Sequence, residues 1–312
     1  MARNAEAEGR HVAVLMGGWS AEREVSLSSG KDCATALESE GFRVTRVDVD
    51  RSLAATLAEL KPDVCFNALH GRWGEDGCVQ GLLEVMGIPY THSGVLASSL
   101  AMNKEATKDV VARHGVPVAE AVLVPRDEAA ATHALAPPYV AKPVAEGSSV
   151  GVVIVKEGAN RPPEAIRRIA TTREGLIMVE RYVAGRELTC GVIRGEPTGI
   201  IDIVAAGHLD FYDYEAKYAP GGSRHILPAD IPPAIAEEIR HHTATAHRAL
   251  GCRGVSRSDF RWDQSTGTLA FLEINTQPGM TPTSLVPELA QHAGMSFGQL
   301  VRWLVEDASV DR

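Results

Sequence analysis

The sequence predicts an α/β fold of several domains, and three observations support this prediction. Short apolar runs alternate with segments of helical spacing over about the first 95 residues, which is typical of a parallel sheet with helices on both faces. Near the C-terminus, two apolar runs joined by DQSTG indicate an antiparallel hairpin. The length of 312 residues corresponds to about two or three domains.

The first predicted domain covers residues 1–95. It opens with the apolar run HVAVLM, which ends at Gly17-Gly18 as a buried strand ends at a tight turn. Apolar runs predict its strands at 11–16, 42–49, 63–69 and 88–93, and helical spacing predicts its helices at 24–40, 52–60 and 75–86.

Two further domains are predicted, a central one over 96–180 and a C-terminal one over 181–312. In the central domain we expect helices at 96–114 and 162–171, and strands at 119–124, 138–142, 150–156 and 176–180. In the C-terminal domain we expect strands at 187–193, 198–204, 254–262 and 268–275, and helices at 232–250, 284–293 and 296–307. The segment 207–230 has little periodicity, and a compact domain rarely carries so long a loop without a function for it.

The composition excludes some classes of function. A net charge of −9 and a pI of about 5.7 argue against a nucleic-acid partner, which would require a basic surface. We find neither a signal peptide nor an apolar run long enough to span a membrane, so we expect a cytoplasmic protein without a membrane partner. The five cysteines form no CxxC pair and are interpreted as reduced structural residues.

The stretch EGSSVGV at 146–152 has the composition of a loop that covers a phosphate. It contains no lysine, and a strand rather than a helix follows it, so it matches neither a P-loop nor the dinucleotide fingerprint. A loop between two strands would cover phosphates with backbone N–H groups and serine hydroxyls. Lys142 ends the apolar strand before it and needs an anionic partner. An ordinary Gly-Ser hairpin is the alternative.

The C-terminal hairpin carries a candidate metal site. Arg257 and Asp259 lie two residues apart on one predicted strand, and Glu273 and Asn275 lie two apart on the other. Period-2 geometry places each pair on one face, and strand pairing brings the two within about 5 Å of each other. Three oxygen ligands there suit Mg²⁺. The alternative is a polar face that points to solvent.

Taken together, these features resemble the D-alanine–D-alanine ligases of the ATP-grasp superfamily. Seven stretches carry the resemblance in the family's order: GGWSAEREVSLSSG at 17–30, ALHGRWGEDGCVQGLLE at 68–84, YTHSGVLASSLAMNK at 90–104, KPVAEGSSVGV at 142–152, FYDYEAKY at 211–218, SRSDF at 256–260 and EINTQPGMTPTSLVP at 273–287. The resemblance implies a three-domain ATP-grasp fold with an N-terminal Rossmann-like domain and a mobile loop at 207–225.

The implied reaction joins two D-alanine molecules at the expense of ATP, through a D-alanyl phosphate, to supply peptidoglycan precursor. Implied cofactors are ATP and two Mg²⁺ ions, with Mn²⁺ as a substitute, and the implied assembly is a homodimer.

The resemblance also implies a role for individual residues. Metal ligands would be Asp259, Glu273 and Asn275, and the residues that contact ATP would be Lys104, Lys142, Gly147, Ser149, Glu180, Val183, Glu187, Phe211 and Lys217. Glu22 would bind the ammonium group of the first D-alanine, and His70 would lie near the same substrate. Ser284 and Leu285 would bind the carboxylate of the second D-alanine. Arg257 and the N–H of Gly279 would stabilise the oxyanion, and Ser148 and Tyr218 would link Glu22 to loop closure.

Five of these residues also have a structural interpretation. Glu22 could be a helix N-terminal charge, His70 a structural histidine, Glu180 and Glu187 solvated strand ends, and Arg257 an ion-pair partner of Asp259. Three alternative functions remain open at this point: a ligase of D-alanine with D-lactate or D-serine, another ATP-grasp ligase, and a nucleotide-binding regulator without turnover. A Rossmann dehydrogenase is disfavoured because Gly17-Gly18 lacks the GxGxxG spacing.

Overall fold

The computed structural model describes residues 9–147, 151–205 and 222–311, and these ranges contain three sheets. The first sheet has the order β2-β1-β3, formed by β1 (His11–Gly17), β2 (Arg43–Val49) and β3 (Val64–Asn67). Both pairings are parallel, as predicted. The helices that follow these strands are α1 (Arg23–Ser39), α2 (Leu53–Leu60) and α3 (Cys78–Met86).

Alternation along β1 directs its side chains to two separate cores. Val12 and Val14 pack in a cluster with α1, whereas Ala13 and Leu15 pack in a cluster with α2 and α3. The predicted helices on both faces are therefore confirmed. The strand predicted at 88–93 is wrong as an extended element, since it is reduced to bridges of Tyr90 with Cys65 and Ser309.

The central sheet has the order β4-β7-β5-β6 and is antiparallel at each pairing. Its strands are β4 (Ala121–Pro125), β5 (Tyr139–Lys142), β6 (Val153–Val155) and β7 (Leu176–Arg181). The glycine-containing stretch joins β5 to β6, so it lies between two strands as predicted.

The helical content around this sheet differs from the prediction at three places. The helix expected at 96–114 is divided into α4 (Val95–Met102) and α5 (Lys104–Arg113), because the extended Asn103 ends the first and its side chain accepts a 3.1 Å hydrogen bond from Ala106 N. The helix expected at 162–171 is only a 3-10 turn, Glu164–Arg168, preceded by Pro162-Pro163. A short helix that was not predicted, α6 (Arg126–Ala131), follows β4.

The third sheet has the order β10-β9-β8-β11-β12. It consists of β8 (Arg186–Ile193), β9 (Glu196–Ala205), β10 (Ser223–Ile226), β11 (Ser256–Asp263) and β12 (Thr268–Asn275). Strand β10 was not predicted, since it lies in the segment interpreted as loop. The hairpin β11–β12 is confirmed, with Arg257 opposite Asn275 and Asp259 opposite Glu273.

Three helices complete the fold: α7 (Pro233–Ala249), α8 (Leu285–His292) and α9 (Phe297–Asp307). Proline at the first position begins α7, and a capping box of Ser296 with Gln299 begins α9. Helix α9 returns to the first sheet, where Leu300 and Leu304 share a core with Val12 and Val14. In the described ranges no helix is both long and apolar enough to cross a bilayer.

Candidate active site

Two adjoining cavities lie between the sheets. The wide cavity, of about 520 Å³, lies between the N-terminus of α1 and the end of β12, and ten of the predicted site residues line it: Glu22, His70, Lys104, Gly147, Arg257, Glu273, Asn275, Gly279, Ser284 and Leu285. The narrow cavity, of about 70 Å³, lies between the central and third sheets and is lined by Lys104, Lys142, Glu180, Val183, Glu187, Asp259 and Glu273. Lys104, Glu146 and Glu273 line both cavities, so the two adjoin there.

Glu22 occupies the N-cap position of α1, immediately after the glycine turn that ends β1. Its side chain is 9% exposed. A Cβ placed on Gly71 would lie 3.1 Å from Oε1 of Glu22, and one on Gly147 would lie 3.0 Å from it. The carboxylate is therefore enclosed between the loop after β3 and the glycine-containing stretch, and the φ of +72° at Gly71 favours glycine there.

His70 is held by hydrogen bonds at both ring nitrogens. Nδ1 is 3.2 Å from Oε1 of Glu75, and Nε2 is 3.1 Å from the hydroxyl of Ser29 on α1. The ring is buried, and it lines the wide cavity beside Glu22. These two partners fix the orientation of the ring against the cavity wall.

The N-terminus of α8 also lines the wide cavity. Ser284 is its N-cap residue, and its hydroxyl accepts a 3.1 Å hydrogen bond from Thr281 N. A Cβ on Gly279 would lie 3.1 Å from this hydroxyl, so the TQPGM turn packs directly on the helix start. Backbone N–H groups at a helix N-terminus form a site for an anion.

The hairpin contributes a compact ionic cluster. Arg257 donates from Nε to Oδ1 of Asp259 at 2.9 Å and from Nη2 to Oδ2 at 2.8 Å. The hydroxyl of Thr189 on β8 donates to the same Oδ1 at 2.5 Å. Across the hairpin, Lys104 Nζ lies 3.2 Å from Oε2 of Glu273. Oδ1 of Asn275 accepts from Gln277 N at 2.8 Å.

Lys142 and Glu180 form a buried pair at the base of the narrow cavity, with Nζ 2.5 Å from Oε2. A second lysine, Lys108 of α5, contacts the other carboxylate oxygen of Glu180. Burial of Glu180 opposes its ionisation, but the charges of Lys142 and Lys108 outweigh burial and lower the pKa of this carboxyl. Burial lowers the pKa of Lys108, against the attraction of Glu180.

Arg261 organises the outer end of the narrow cavity. Its Nε donates to the carbonyl of Val183 at 3.2 Å, and its Nη2 donates to the hydroxyl of Tyr182 at 3.3 Å. Its Nη1 lies 3.6 Å from Oε2 of Glu187, the residue opposite it on β8. The guanidinium of Arg261 therefore joins the segment after β7 to the start of β8.

Comparison with known proteins identifies the family to which this arrangement belongs. Family models described as the N-terminus and the C-terminus of D-Ala D-Ala ligase match residues 53–93 and 110–306. A D-alanine–D-alanine ligase of Parvibaculum lavamentivorans is 61% identical over 308 residues, which is 98% of this chain and 99% of the relative. Another, of Sinorhizobium fredii, is 60% identical and covers 96% of this chain and 98% of the relative.

The chain belongs to the D-alanine–D-alanine ligase family.

Solved structures of the family share its ATP-grasp fold. A crystal structure of D-alanine–D-alanine ligase from Bacillus anthracis has a TM-score of 0.78 and 29% identity, over 95% of this chain and 96% of that chain. The structure of that ligase complexed with ATP has a TM-score of 0.77 and 26% identity, over 96% of this chain and 97% of that chain.

Five residues that the family resemblance assigns to the site lie outside the described ranges. They are Ser148 and Ser149 of the glycine-containing stretch, and Phe211, Lys217 and Tyr218 of the segment 207–225. Their roles stay predictions. Gly147, the last described residue before the first gap, lies beside Glu22.

Three residues that contact the predicted site were missed in the sequence. Lys108 lies one helical turn after Lys104 on α5, so i,i+4 spacing could have revealed it. Arg261 continues the alternation of Arg257 and Asp259 by one more step along β11. Thr189 reaches Asp259 from the neighbouring strand β8, and no pattern within one strand indicates such a contact.

Proposed function

We propose that this chain joins two D-alanine molecules into D-alanyl-D-alanine, with conversion of ATP to ADP and phosphate, for peptidoglycan precursor synthesis. The observation that carries the proposal is that the two cavities adjoin at Lys104 and Glu273, which line both. A nucleotide in the narrow cavity would direct its phosphates into the wide one, where an acid, an arginine and a helix N-terminus are arranged for amino-acid substrates. We further propose that the enzyme acts in the cytoplasm as a homodimer.

In this proposal the narrow cavity binds ATP. Glu180 and the backbone of Val183 hold the adenine, Glu187 binds the ribose hydroxyls, and the phosphates meet Lys104 and Lys142. The buried cluster of lysines supports this assignment, since phosphoryl transfer depends mainly on charge neutralisation and positioning. Ser149, Phe211 and Lys217, which lie outside the described residues, would add contacts to the nucleotide. The backbone of Gly147 would contact the phosphates.

The hairpin residues Asp259, Glu273 and Asn275 would hold two Mg²⁺ ions, with Mn²⁺ as a substitute. In the described ranges no three His, Cys, Asp or Glu side chains form a metal group by themselves. Asp259 and Glu273 supply two carboxylates and Asn275 an amide oxygen, which suits Mg²⁺ because it usually retains water and phosphate ligands. When bound, the metal would neutralise phosphate charge. Arg257 and Lys104 balance the charges of Asp259 and Glu273.

The wide cavity would hold both amino acids. Glu22 would accept the ammonium group of the first D-alanine, with His70 fixed beside it. The N-terminus of α8, through the Ser284 hydroxyl and Leu285 N–H, would bind the carboxylate of the second. This placement leaves the first carboxylate directed at the phosphates and the second amine directed at the resulting acyl group.

Arg257 and the N–H of Gly279 would stabilise the oxyanion that forms when the amine of the second D-alanine attacks the acyl phosphate. Both line the wide cavity. Exclusion of water protects an acyl phosphate from hydrolysis. The contact of Gly147 with Glu22 would couple closure of the glycine-containing stretch to a filled site, and Ser148 and Tyr218 would extend the same network.

The test is phosphate release from Mg-ATP with D-alanine, with L-alanine, and with D-alanine plus D-lactate, combined with mass analysis of the products. We expect release with D-alanine alone and D-alanyl-D-alanine as the product. Asp259→Asn should abolish it, whereas Asp263→Asn, at the far end of the same strand, should not. A depsipeptide or D-alanyl-D-serine as the main product would assign a different acceptor, and no release would refute the proposal.

A further inference from the structure

Lys108 is a buried lysine for which the proposed reaction gives no role. It lies on α5 and is 5% exposed. It does not line the narrow cavity itself but lies behind Glu180, which does. Its Nζ contacts Oε1 of Glu180 and donates to the carbonyl of Phe271 on β12 at 3.2 Å. Burial of an ammonium group costs desolvation free energy, so a lysine at this position calls for an explanation.

The charges of Lys108, Lys142 and Glu180 offer such an explanation. Lys142 contacts Oε2 of Glu180, and Lys108 contacts Oε1, so one carboxylate is shared by two cations. A pair of Lys142 and Glu180 alone would be neutral, and the carboxylate would cancel the attraction of Lys142 for a phosphate. With Lys108 present the three groups carry a net charge of about +1 when all are ionised. Glu273, the other acid that faces Lys108, is itself paired with Lys104.

We propose that Lys108 is a positioning residue of the ATP site, which occupies one oxygen of Glu180 and thereby leaves the charge of Lys142 available to the nucleotide phosphates. This inference rests on the proposed ATP site. Lys108 also links Glu180 on β7 of the central sheet to Phe271 on β12 of the third sheet. The same side chain therefore fixes the distance between the two sheets that enclose the narrow cavity.

A purely structural role makes a different prediction. In that case, replacement of Lys108 would lower the thermal unfolding midpoint but leave the affinity of the folded protein for ATP unchanged. The charge role predicts instead that replacement of Lys108 weakens ATP binding much less when Glu180 is already neutralised, since Lys142 then has no carboxylate to offset its charge.

The experiment compares Lys108→Met, Lys108→Arg and the double variant Lys108→Met/Glu180→Gln by calorimetric titration with ATP, with steady-state kinetics and thermal melting alongside. We expect Lys108→Met to weaken ATP binding by roughly tenfold or more, with the KM for D-alanine changed less than about twofold. The arginine variant should bind within about threefold of the wild type. Glu180→Gln alone is titrated as the reference for the double variant, because Glu180 also faces the adenine in the proposed site, and the double variant should bind ATP within about threefold of that reference. Exposed Lys31→Met is the matched control and should bind ATP normally.

Two results would overturn the inference. One is ATP affinity in Lys108→Met equal to that of the wild type, and the other is a loss of affinity on Lys108→Met that is as large in the Glu180→Gln background as in the wild type. If Lys108→Met does not fold, the arginine variant decides, because loss of ATP affinity in a folded arginine variant contradicts the charge role. Failure of the wild type to bind ATP would refute the proposed function itself, so the two failures are distinguishable.

Discussion

Arg257 makes a two-pronged contact with Asp259, through Nε at 2.9 Å and Nη2 at 2.8 Å. A lysine keeps the charge at this position but cannot form the planar fork. For Arg257→Lys we expect kcat to fall by about 10²-fold, as for loss of an oxyanion donor, while the KM for ATP changes less than about threefold. Initial-rate kinetics with D-alanine and ATP varied separately measures both.

The matched control is Arg46→Lys. Arg46 makes an equally close fork with Glu38, at 2.6 Å and 2.9 Å, but on the exposed surface of α1 and β2. A surface pair contributes little, so this variant should keep wild-type rates. An Arg257→Lys enzyme with wild-type kcat would show that the arginine serves only as the ion-pair partner of Asp259.

Glu273 is one of two acidic residues that line both cavities, the other being Glu146, and Lys104 Nζ lies 3.2 Å from its Oε2. Glu273→Gln removes the charge that would attract a divalent cation and leaves Lys104 without its partner. We expect affinity for Mn²⁺ in the presence of ADP to fall roughly tenfold or more. Electron paramagnetic resonance of free Mn²⁺ measures this affinity. Glu306→Gln, at the exposed partner of Arg302 on α9, is the control and should bind Mn²⁺ as the wild type does.

At the scale of elements, the contact of α1 with β1 depends on one helical glycine. A Cβ on Gly30 would lie 2.4 Å from Cβ of Met16, closer than two such atoms can approach. Gly30→Ala should therefore displace α1 and lower stability by about 1–3 kcal/mol, despite the better helix propensity of alanine. Because Glu22 caps the same helix, the KM for D-alanine should rise.

Gly81 provides the comparison, since it is also helical and a Cβ there would meet only Val95 Cγ2, at 3.9 Å. Gly81→Ala should be neutral or stabilising by up to about 1 kcal/mol. Thermal and urea unfolding of both variants measures the difference. Equal stability of the two alanine variants would contradict the close packing of α1 on β1.

Helix α7 packs on the third sheet through a buried histidine. His247 Nδ1 lies 2.7 Å from the hydroxyl of Ser256 on β11. Burial, together with Arg248 and Arg253, lowers the pKa of His247 from 6.5 to about 4. As the pH falls, His247 therefore takes up a proton in the unfolded chain before it does so in the folded protein. The free energy of unfolding is consequently highest above about pH 6.5 and decreases toward pH 4.

The expected loss over this window is about 2–3 kcal/mol. Unfolding midpoints measured between pH 7 and pH 4.5 should decline less steeply in His247→Gln than in the wild type. His114→Gln, at an exposed helix end, should keep the wild-type slope. An unchanged slope in His247→Gln would mean that other groups cause the acid sensitivity.

Elements with a strong pattern were predictable from the sequence, whereas those defined by distant contacts were not. The β11–β12 hairpin and the register that places Asp259 opposite Glu273 follow from period-2 alternation and a short turn. Strand β10 is different, because it exists through its pairing with β9. The pairing of Lys108 with Glu180 likewise joins an α-helix to a strand of the central sheet, and no local spacing encodes it.

The molecule as a whole is held together by a return of the chain to its first sheet. Leu304 of α9 is fully buried in a core that includes Val12 and Val14 of β1 and Val255, which precedes β11. Its Cδ2 would lie 3.4 Å from a Cβ on Gly254. Helix α9 thus connects the sheet that leads to Glu22 with the strand that carries Arg257, and both of these residues line the wide cavity.

This connection predicts a specific defect for Leu304→Ala. The cavity left by the substitution should cost about 2–5 kcal/mol of stability. Because it loosens the placement of Glu22 relative to Arg257, the KM for D-alanine should rise by about threefold or more, with little change in the KM for ATP. The control is Ile166→Ala, a fully buried residue in the core of the central sheet, which should lose similar stability without raising the KM for D-alanine. Steady-state kinetics of both variants, measured below their unfolding midpoints, separates the two explanations. An equal rise of the KM for D-alanine in Leu304→Ala and Ile166→Ala would mean that general destabilisation, rather than the connection through α9, controls the substrate cavity.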